Sequence, residues 1–114
     1  MLERWCGVIG WEELYQVSNL GCVRSITRIV AAKNGSTRRH TGRVLTPTPN
    51  SLSGRLQVNL SNGPIRKFAY VHRLVAEAWI GPCPDGMEVC HGPAGMSDNA
   101  VSNLRWDTRS SNAK

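Results

Sequence analysis

The chain has 114 residues, with 14 Lys and Arg against 8 Asp and Glu, a net charge of +6 and the composition of an ordinary soluble globular protein. That length suffices for one small domain, or two modules sharing a modest core, burying about two thirds of the unfolded surface. No apolar run approaches the ~20 residues that span a bilayer and Met1 to Cys6 lacks the form of a signal peptide, so the expectation is a cytoplasmic protein, away from membranes, with Cys6, Cys22, Cys83 and Cys90 as thiols.

The first predicted elements form a small β-rich stretch. Tyr15 and Val17 alternate with polar neighbours as on a strand, Ser18-Asn19-Leu20-Gly21 reads as a turn, and Cys22 to Ile26 returns as a second strand. From Ile29 to Thr41 the chain reads IVAAKNGSTRRHT, expected to be an exposed, mobile loop with basic residues Lys33, Arg38 and Arg39. Such a loop is placed to follow phosphates or enter a groove, and equally to be an idle solvated segment.

Arg43 to Thr46 begins a strand that Pro47 and Pro49 are expected to stop. Leu56 to Leu60 alternates cleanly, Ser61-Asn62-Gly63-Pro64 turns, and Ile65 to Tyr70 comes back, a hairpin with Leu56, Val58 and Leu60 inward and Arg55, Arg66 and Lys67 outward. Val71, Leu74, Val75, Ala78 and Trp79 form one apolar stripe of a helix over 71–80, ended by Gly81-Pro82. His72 and Arg73 lie off that stripe. Contact with substrate or with the active-site loop is open to both, and for His72 solvent or a structural hydrogen bond is the favoured expectation.

The last quarter carries the chemistry. Glu88-Val89-Cys90 is a short strand delivering His91 into Gly92-Pro93-Ala94-Gly95, a polar loop follows, and Asn103 to Trp106 alternates as a second strand. Thr108 is a candidate N-cap for a short helix of about one and a half turns through Lys114. His91, Asn103 and Asn112 are thus spread over three elements at spacings of twelve and nine. A histidine suits water activation because its unperturbed pKa near ~6.5 leaves it able to accept a proton near neutrality. An amide such as Asn112 is a weak ligand for a loosely held divalent cation, and Arg105, Arg109 and Lys114 are close enough in sequence to grip phosphates.

Two stretches resemble the HNH endonucleases of the phage homing type. The eleven residues from Tyr15 to Ser25, YQVSNLGCVRS, are similar to the small NUMOD-like module that often precedes the nuclease in that family, and Val71 to Ala76, VHRLVA, is similar to the pattern just before the nuclease strand. The order His91, Asn103, Asn112 resembles the family's ββα-metal motif. The resemblance implies an α+β fold, with an N-terminal β-rich module and basic loop over 1–42. A nuclease domain over 43–114 follows, made of a β-hairpin, a helix and the ββα-metal (HNH, His-Me finger) motif at 88–114. It implies His91 as general base, Asn103 bracing the loop and orienting the imidazole, and Asn112 as metal ligand. Asn99 ranks second for bracing, because Asn103 begins the strand.

The family commonly has Asp or His just before the catalytic histidine as the other metal ligand, where this chain has Cys90. A thiolate is a poor ligand for Mg²⁺. Either Cys90 takes a softer metal, or its backbone or a water fills the position, or the site is weakened; an ideal strand also aims Cys90 and His91 at opposite faces.

The implied activity is metal-dependent cleavage of double-stranded DNA, nicking rather than cutting both strands, with Mg²⁺ or Mn²⁺ favoured. Zn²⁺ is disfavoured because no CxxC pair occurs. Arg38, Arg39, Arg66, Lys67, Arg73, Arg105, Arg109 and Lys114 are the DNA-binding candidates, and no protein partner is evident. Lys114 lies two residues beyond Asn112, so selectivity is expected to come from the N-terminal module and to be loose. The rival readings are a DNA-binding module of the same fold without the chemistry, and a zinc-stabilised binding domain.

Overall fold

The structure is a computed structural model that describes residues 2–31, 34–93, 95 and 98–108. Three short strands, β1 (Trp5–Gly7), β2 (Tyr15–Ser18) and β3 (Val23–Ser25), form an antiparallel sheet in that order. The expected turn between β2 and β3 is present: the Ser18 hydroxyl accepts the amides of Leu20 and Cys22 at 3.2 and 3.0 Å, a local side-chain bond of the kind that favours Ser in turns.

The stretch expected to be a mobile loop is instead a two-stranded ribbon, β4 (Arg28–Ala31) paired with β5 (Thr37–His40), Ile29 opposite Arg39 and Val30 opposite Arg38. Its turn carries Asn34, whose side-chain oxygen accepts the Ser36 amide at 3.2 Å, and Gly35 at φ +83°. Asn-Gly between β-branched and polar residues is a hairpin signal, here outweighed by the surrounding Ser, Thr and charge.

A second correction concerns residues 43–49. Arg43 to Leu45 adds only a bridge to β3, Arg24 opposite Val44, while the strand proper is β6 (Thr48–Pro49) and contains the proline expected to end it. β6 is the edge of a sheet ordered β6, β7 (Leu56–Asn62), β8 (Ile65–Tyr70), and an edge is where a residue without an N–H is tolerated. The β7–β8 hairpin is the expected one, with Val58 and Leu60 buried.

Helix α1 (Val71–Trp79) follows β8 directly and ends where Ile80 and Gly81 both donate to Ala76 O, at 2.9 and 3.0 Å. Its buried face comprises Val71, His72, Leu74, Val75 and Ala76. His72 therefore belongs to the packed side of the helix rather than to solvent. β9 (Met87–His91) and β10 (Leu104–Thr108) close the described chain as an antiparallel hairpin, with Leu104 opposite His91 and Arg105 opposite Cys90.

One apolar cluster joins these elements except β1, the ribbon and β6: Val8, just after β1, and Tyr15, Val17 and Val23 meet Val58, Leu60, Val71, Leu74, Val75, Val89 and Leu104. Polar bonds cross the same seam. The Tyr15 hydroxyl accepts the Ser61 amide at 3.0 Å, and Trp79 Nε1 donates to Val17 O at 3.2 Å. Among the described residues no helix is long and apolar enough to cross a membrane.

Candidate active site

β9 ends on His91, and the chain leaves it through Gly92, whose amide donates to Asn103 O at 2.7 Å across the mouth of the hairpin. A Cβ at Gly92 would sit 2.8 Å from Asn103 Oδ1, so only glycine lets the two sides come this close. Asn103 is buried at the end of a 3-10 turn over Val101–Asn103, one residue before β10. Its side-chain NH₂ donates to Gly95 O at 3.0 Å and Asp98 O at 2.9 Å. Backbone carbonyls inside a loop need such donors when water cannot reach them, and Asn103 is the brace that holds this one in shape.

The imidazole is held by a different residue. Asn99, only 5% exposed, places Oδ1 at 2.8 Å from His91 Nε2. An amide oxygen only accepts, so Nε2 carries the proton and Nδ1 keeps the basic lone pair. The two asparagines thus share the work expected of Asn103, which braces the loop while Asn99 orients the ring. The sequence signal for Asn99 was its place in Ser-Asp-Asn, where the preceding Asp98 carboxylate accepts the Ala100 amide at 3.1 Å and turns the chain.

The N-terminal module reaches this loop directly. Val101 N donates to Asn19 O at 2.8 Å, and a Cβ on Gly21, at φ +93°, would lie 2.9 Å from the Asn99 carbonyl carbon. Asn19 is itself fixed by bonds with Arg4 and Leu2. The motif turn Ser18–Gly21 therefore forms the floor under the residue that holds His91.

Against the other side of His91 lies His72, with ring centroids 4.8 Å apart and planes inclined at 40°. His72 is 4% exposed, and its Nδ1 is buried without a hydrogen-bond partner, which overturns the expectation of solvent or a structural bond at that atom. Burial first, then the charges of His91, Arg55 and Arg73, hold its pKa down at about 3. Its position as the second residue of α1, at the positive end of the helix dipole, disfavours protonation in the same direction.

Cys90 precedes His91 in a regular ladder, so their side chains leave opposite faces of β9. The thiol is buried, lies 3.9 Å from Glu88 O, and is pushed up in pKa by burial, with Arg105 pulling weakly the other way. A protonated buried thiol is an inert group rather than a ready ligand. Among the described residues, no three His, Cys, Asp or Glu side chains gather as a metal cage. Asn112, Arg109, Lys114 and the helix expected after Thr108 lie outside the described residues.

The cationic candidates fall in separate places. Arg38 and Arg39 are exposed on the ribbon, Arg66 and Lys67 on β8, and Arg73 on α1 beside Lys67 in a groove shared with Glu77. Arg105 is half exposed and pairs with Asp107 at 3.2 Å. Sequence reading missed a basic groove at the root of the ribbon, where Arg24 and Arg43 line one hollow and Arg28 and Arg43 the next. Arg43 is distant in sequence from Arg24 and Arg28, and the bridge between Arg24 and Val44, with the Ser25 amide donating to Arg43 O at 2.9 Å, brings them together.

A model of the HNH endonuclease family matches residues 69–114, and a model of the NUMOD4 motif matches residues 3–61. The chain is 34% identical over 110 residues to the DNA endonuclease I-HmuI of Bacillus phage SP01, a match covering 96% of this chain and 55% of that protein. It is similar in structure, with a TM-score of 0.71 and the same 34% identity and coverage, to the HNH homing endonuclease I-HmuI as solved in a study of DNA binding and cleavage. The chain spans about half the length of the curated relative it matches.

Proposed function

We propose, from the premise that this chain belongs to the HNH endonucleases carrying a NUMOD4 motif, that it hydrolyses phosphodiester bonds of double-stranded DNA with His91 as general base. The observation that carries the proposal is the 2.8 Å bond from His91 Nε2 to Asn99 Oδ1, which leaves Nδ1 as the proton acceptor at the mouth of a braced loop. Nδ1 takes a proton from water, the water oxygen bonds to phosphorus, and the bond to the 3′ oxygen breaks. Asn99 then stabilises the imidazolium through the same Nε2–H, the role an orienting acceptor plays behind any histidine base.

Asn112 and the Cys90 position would hold a divalent cation, Mg²⁺ or Mn²⁺, which when bound supplies charge stabilisation to the phosphoryl group and the leaving oxygen. The buried, raised thiol of Cys90 favours its backbone carbonyl or a water over its sulfur as the contact. Such a ββα-metal arrangement, with a nuclease domain over 43–114 and a NUMOD-like module over 1–42, asks of the module that it support the loop and contribute cations. Arg24, Arg28 and Arg43 in the groove, and Arg38 and Arg39 on the ribbon, supply them, with Arg66, Lys67, Arg73 and Arg105 as outlying contacts and Arg109 and Lys114 as phosphate contacts beyond the described residues.

Plasmid nicking by purified protein with Mg²⁺ or Mn²⁺ tests this. His91→Ala is expected to lose about 10²–10⁴-fold in cleavage rate, the usual contribution of a general base, with nicked circles as the main product. Equal cleavage by the two proteins would refute the assignment. The absence of a carboxylate at Cys90 favours one second reading, a DNA-binding module without cleavage, and retention of DNA with no cleavage in either metal would establish it.

A further inference from the structure

His72 is not used by the steps above, yet it is a buried titratable side chain, 4% exposed, packed against His91. It sits between two other rings: Tyr70 at 5.4 Å between centroids on one side and His91 at 4.8 Å on the other. Tyr70 is anchored in turn by its hydroxyl, 3.3 Å from Ser53 Oγ. The Nδ1 of His72 has no partner, so what the residue offers its surroundings is not a hydrogen bond through that atom but a flat ring.

We infer that His72 is a positioning residue for the proton-accepting imidazole, its ring forming the wall that fixes the plane of His91 while Asn99 fixes its edge. One hydrogen bond leaves a ring free to tilt about the bonded atom; a packed face removes that freedom. Holding a reacting group in one orientation is worth up to about 10²-fold in rate when an ångström of displacement is at stake. The wall must also be uncharged, because His91 becomes a cation in the reaction and a charged ring at this distance would repel it. Burial and the charges of His91, Arg55 and Arg73 all favour its neutral form. The inference rests on the reading of His91 as the base.

The test compares His72→Phe, which keeps a flat neutral ring, with His72→Ala, which removes the wall, on the full chain. Single-turnover cleavage of a DNA duplex in Mg²⁺ should fall about 10- to 100-fold in kcat for the alanine variant, with KM changed less than about 3-fold, while the phenylalanine variant stays within about 3-fold of the parent. Nitrogen-15 NMR relaxation of the His91 ring, without DNA or metal, should show a rigid ring in the parent and in His72→Phe, and a mobile one in His72→Ala. A ring that stays rigid in a folded His72→Ala protein overturns the proposal, as does a phenylalanine variant as impaired as the alanine one. Equal cleavage by the parent and His91→Ala instead overturns the base assignment, and the NMR comparison still reports on the wall.

Discussion

Asn99 and Asn103 are four residues apart in one loop, and their side chains do different work because the 3-10 turn over Val101–Asn103 aims them differently. Asn103 bonds two loop carbonyls, so Asn103→Ala removes two hydrogen bonds, each worth about 0.5–1.5 kcal/mol, and should cost about 1–3 kcal/mol of stability. Asn99→Ala releases the imidazole instead. It should lower kcat by about 10- to 100-fold with little change in DNA affinity, read by single-turnover cleavage beside a binding assay. Gly21→Ala acts on Asn99 from below, through a forced left-handed backbone and a collision with the Asn99 carbonyl carbon. A loss of about 1–3 kcal/mol is expected, measured as a shift in the urea midpoint. His72 makes a pH prediction. Its folded pKa of about 3 lies below the ordinary 6.5, so between those values the unfolded chain binds the extra proton. Stability is full above about pH 6.5 and falls as the solution is acidified, by at most about 1.4 kcal/mol per pH unit for one proton. His72→Phe should flatten that part of the urea-denaturation profile. The place of His91 at the end of a strand was legible in the sequence because Gly92-Pro93 follows it. The division of labour between the asparagines was not, since either amide can brace a loop and only the turn between them decides.

The elements that sequence periodicity described well are those with a buried face of one period. β7 alternates, with Val58 and Leu60 buried and Asn59 exposed, and α1 carries an apolar stripe, because each packs one side against the shared core, whereas β8 is exposed over Ile65 to Phe68. Leu60→Ala should therefore be among the costliest changes in the chain: the side chain is fully buried and its loss leaves a cavity, about 2–5 kcal/mol by equilibrium unfolding. The ribbon β4–β5 was read as a loop for the complementary reason. Among the described residues none of its side chains belongs to the core cluster, and its pairing rests on the backbone ladder from Arg28 opposite His40 to Ala31 opposite Thr37. A two-stranded ribbon fits the major groove of DNA in width. With Arg38 and Arg39 on successive, oppositely directed positions, both faces present a cation. The double variant Arg38→Ala, Arg39→Ala should reduce the salt dependence of duplex binding by about two units of slope, leaving the single-turnover rate at saturating protein unchanged.

At the scale of the whole molecule, the N-terminal sheet and the β9–β10 hairpin are one packed body, because Tyr15, Val17 and Val23 share a core with Leu60, Val75 and Leu104. Cations on the module are thus held at fixed distances from His91. The molecule is elongated, 57 × 31 × 25 Å, and its longest dimension matches roughly 17 base pairs at the ~3.4 Å rise of duplex DNA. Net charge of +6 is modest for so long a footprint, and part of the positive charge is internally engaged, Arg105 by Asp107 and Arg24 by Trp5 and Gln16. The described cations left for phosphates are Arg38 and Arg39 of the ribbon, Arg28 and Arg43 at its base, and Arg66 and Lys67 of β8, six in all. Each contact releases condensed counterions, so log Kobs against log salt should fall with a slope of about −5. Binding of a duplex of about 20 base pairs should be strong at low salt and lost near a few hundred millimolar, whereas an 8-base-pair duplex should bind markedly less well and with a shallower slope. Equal slopes for the two lengths would mean that the protein grips DNA only at the catalytic hairpin, and that the ribbon and its groove lie off the duplex.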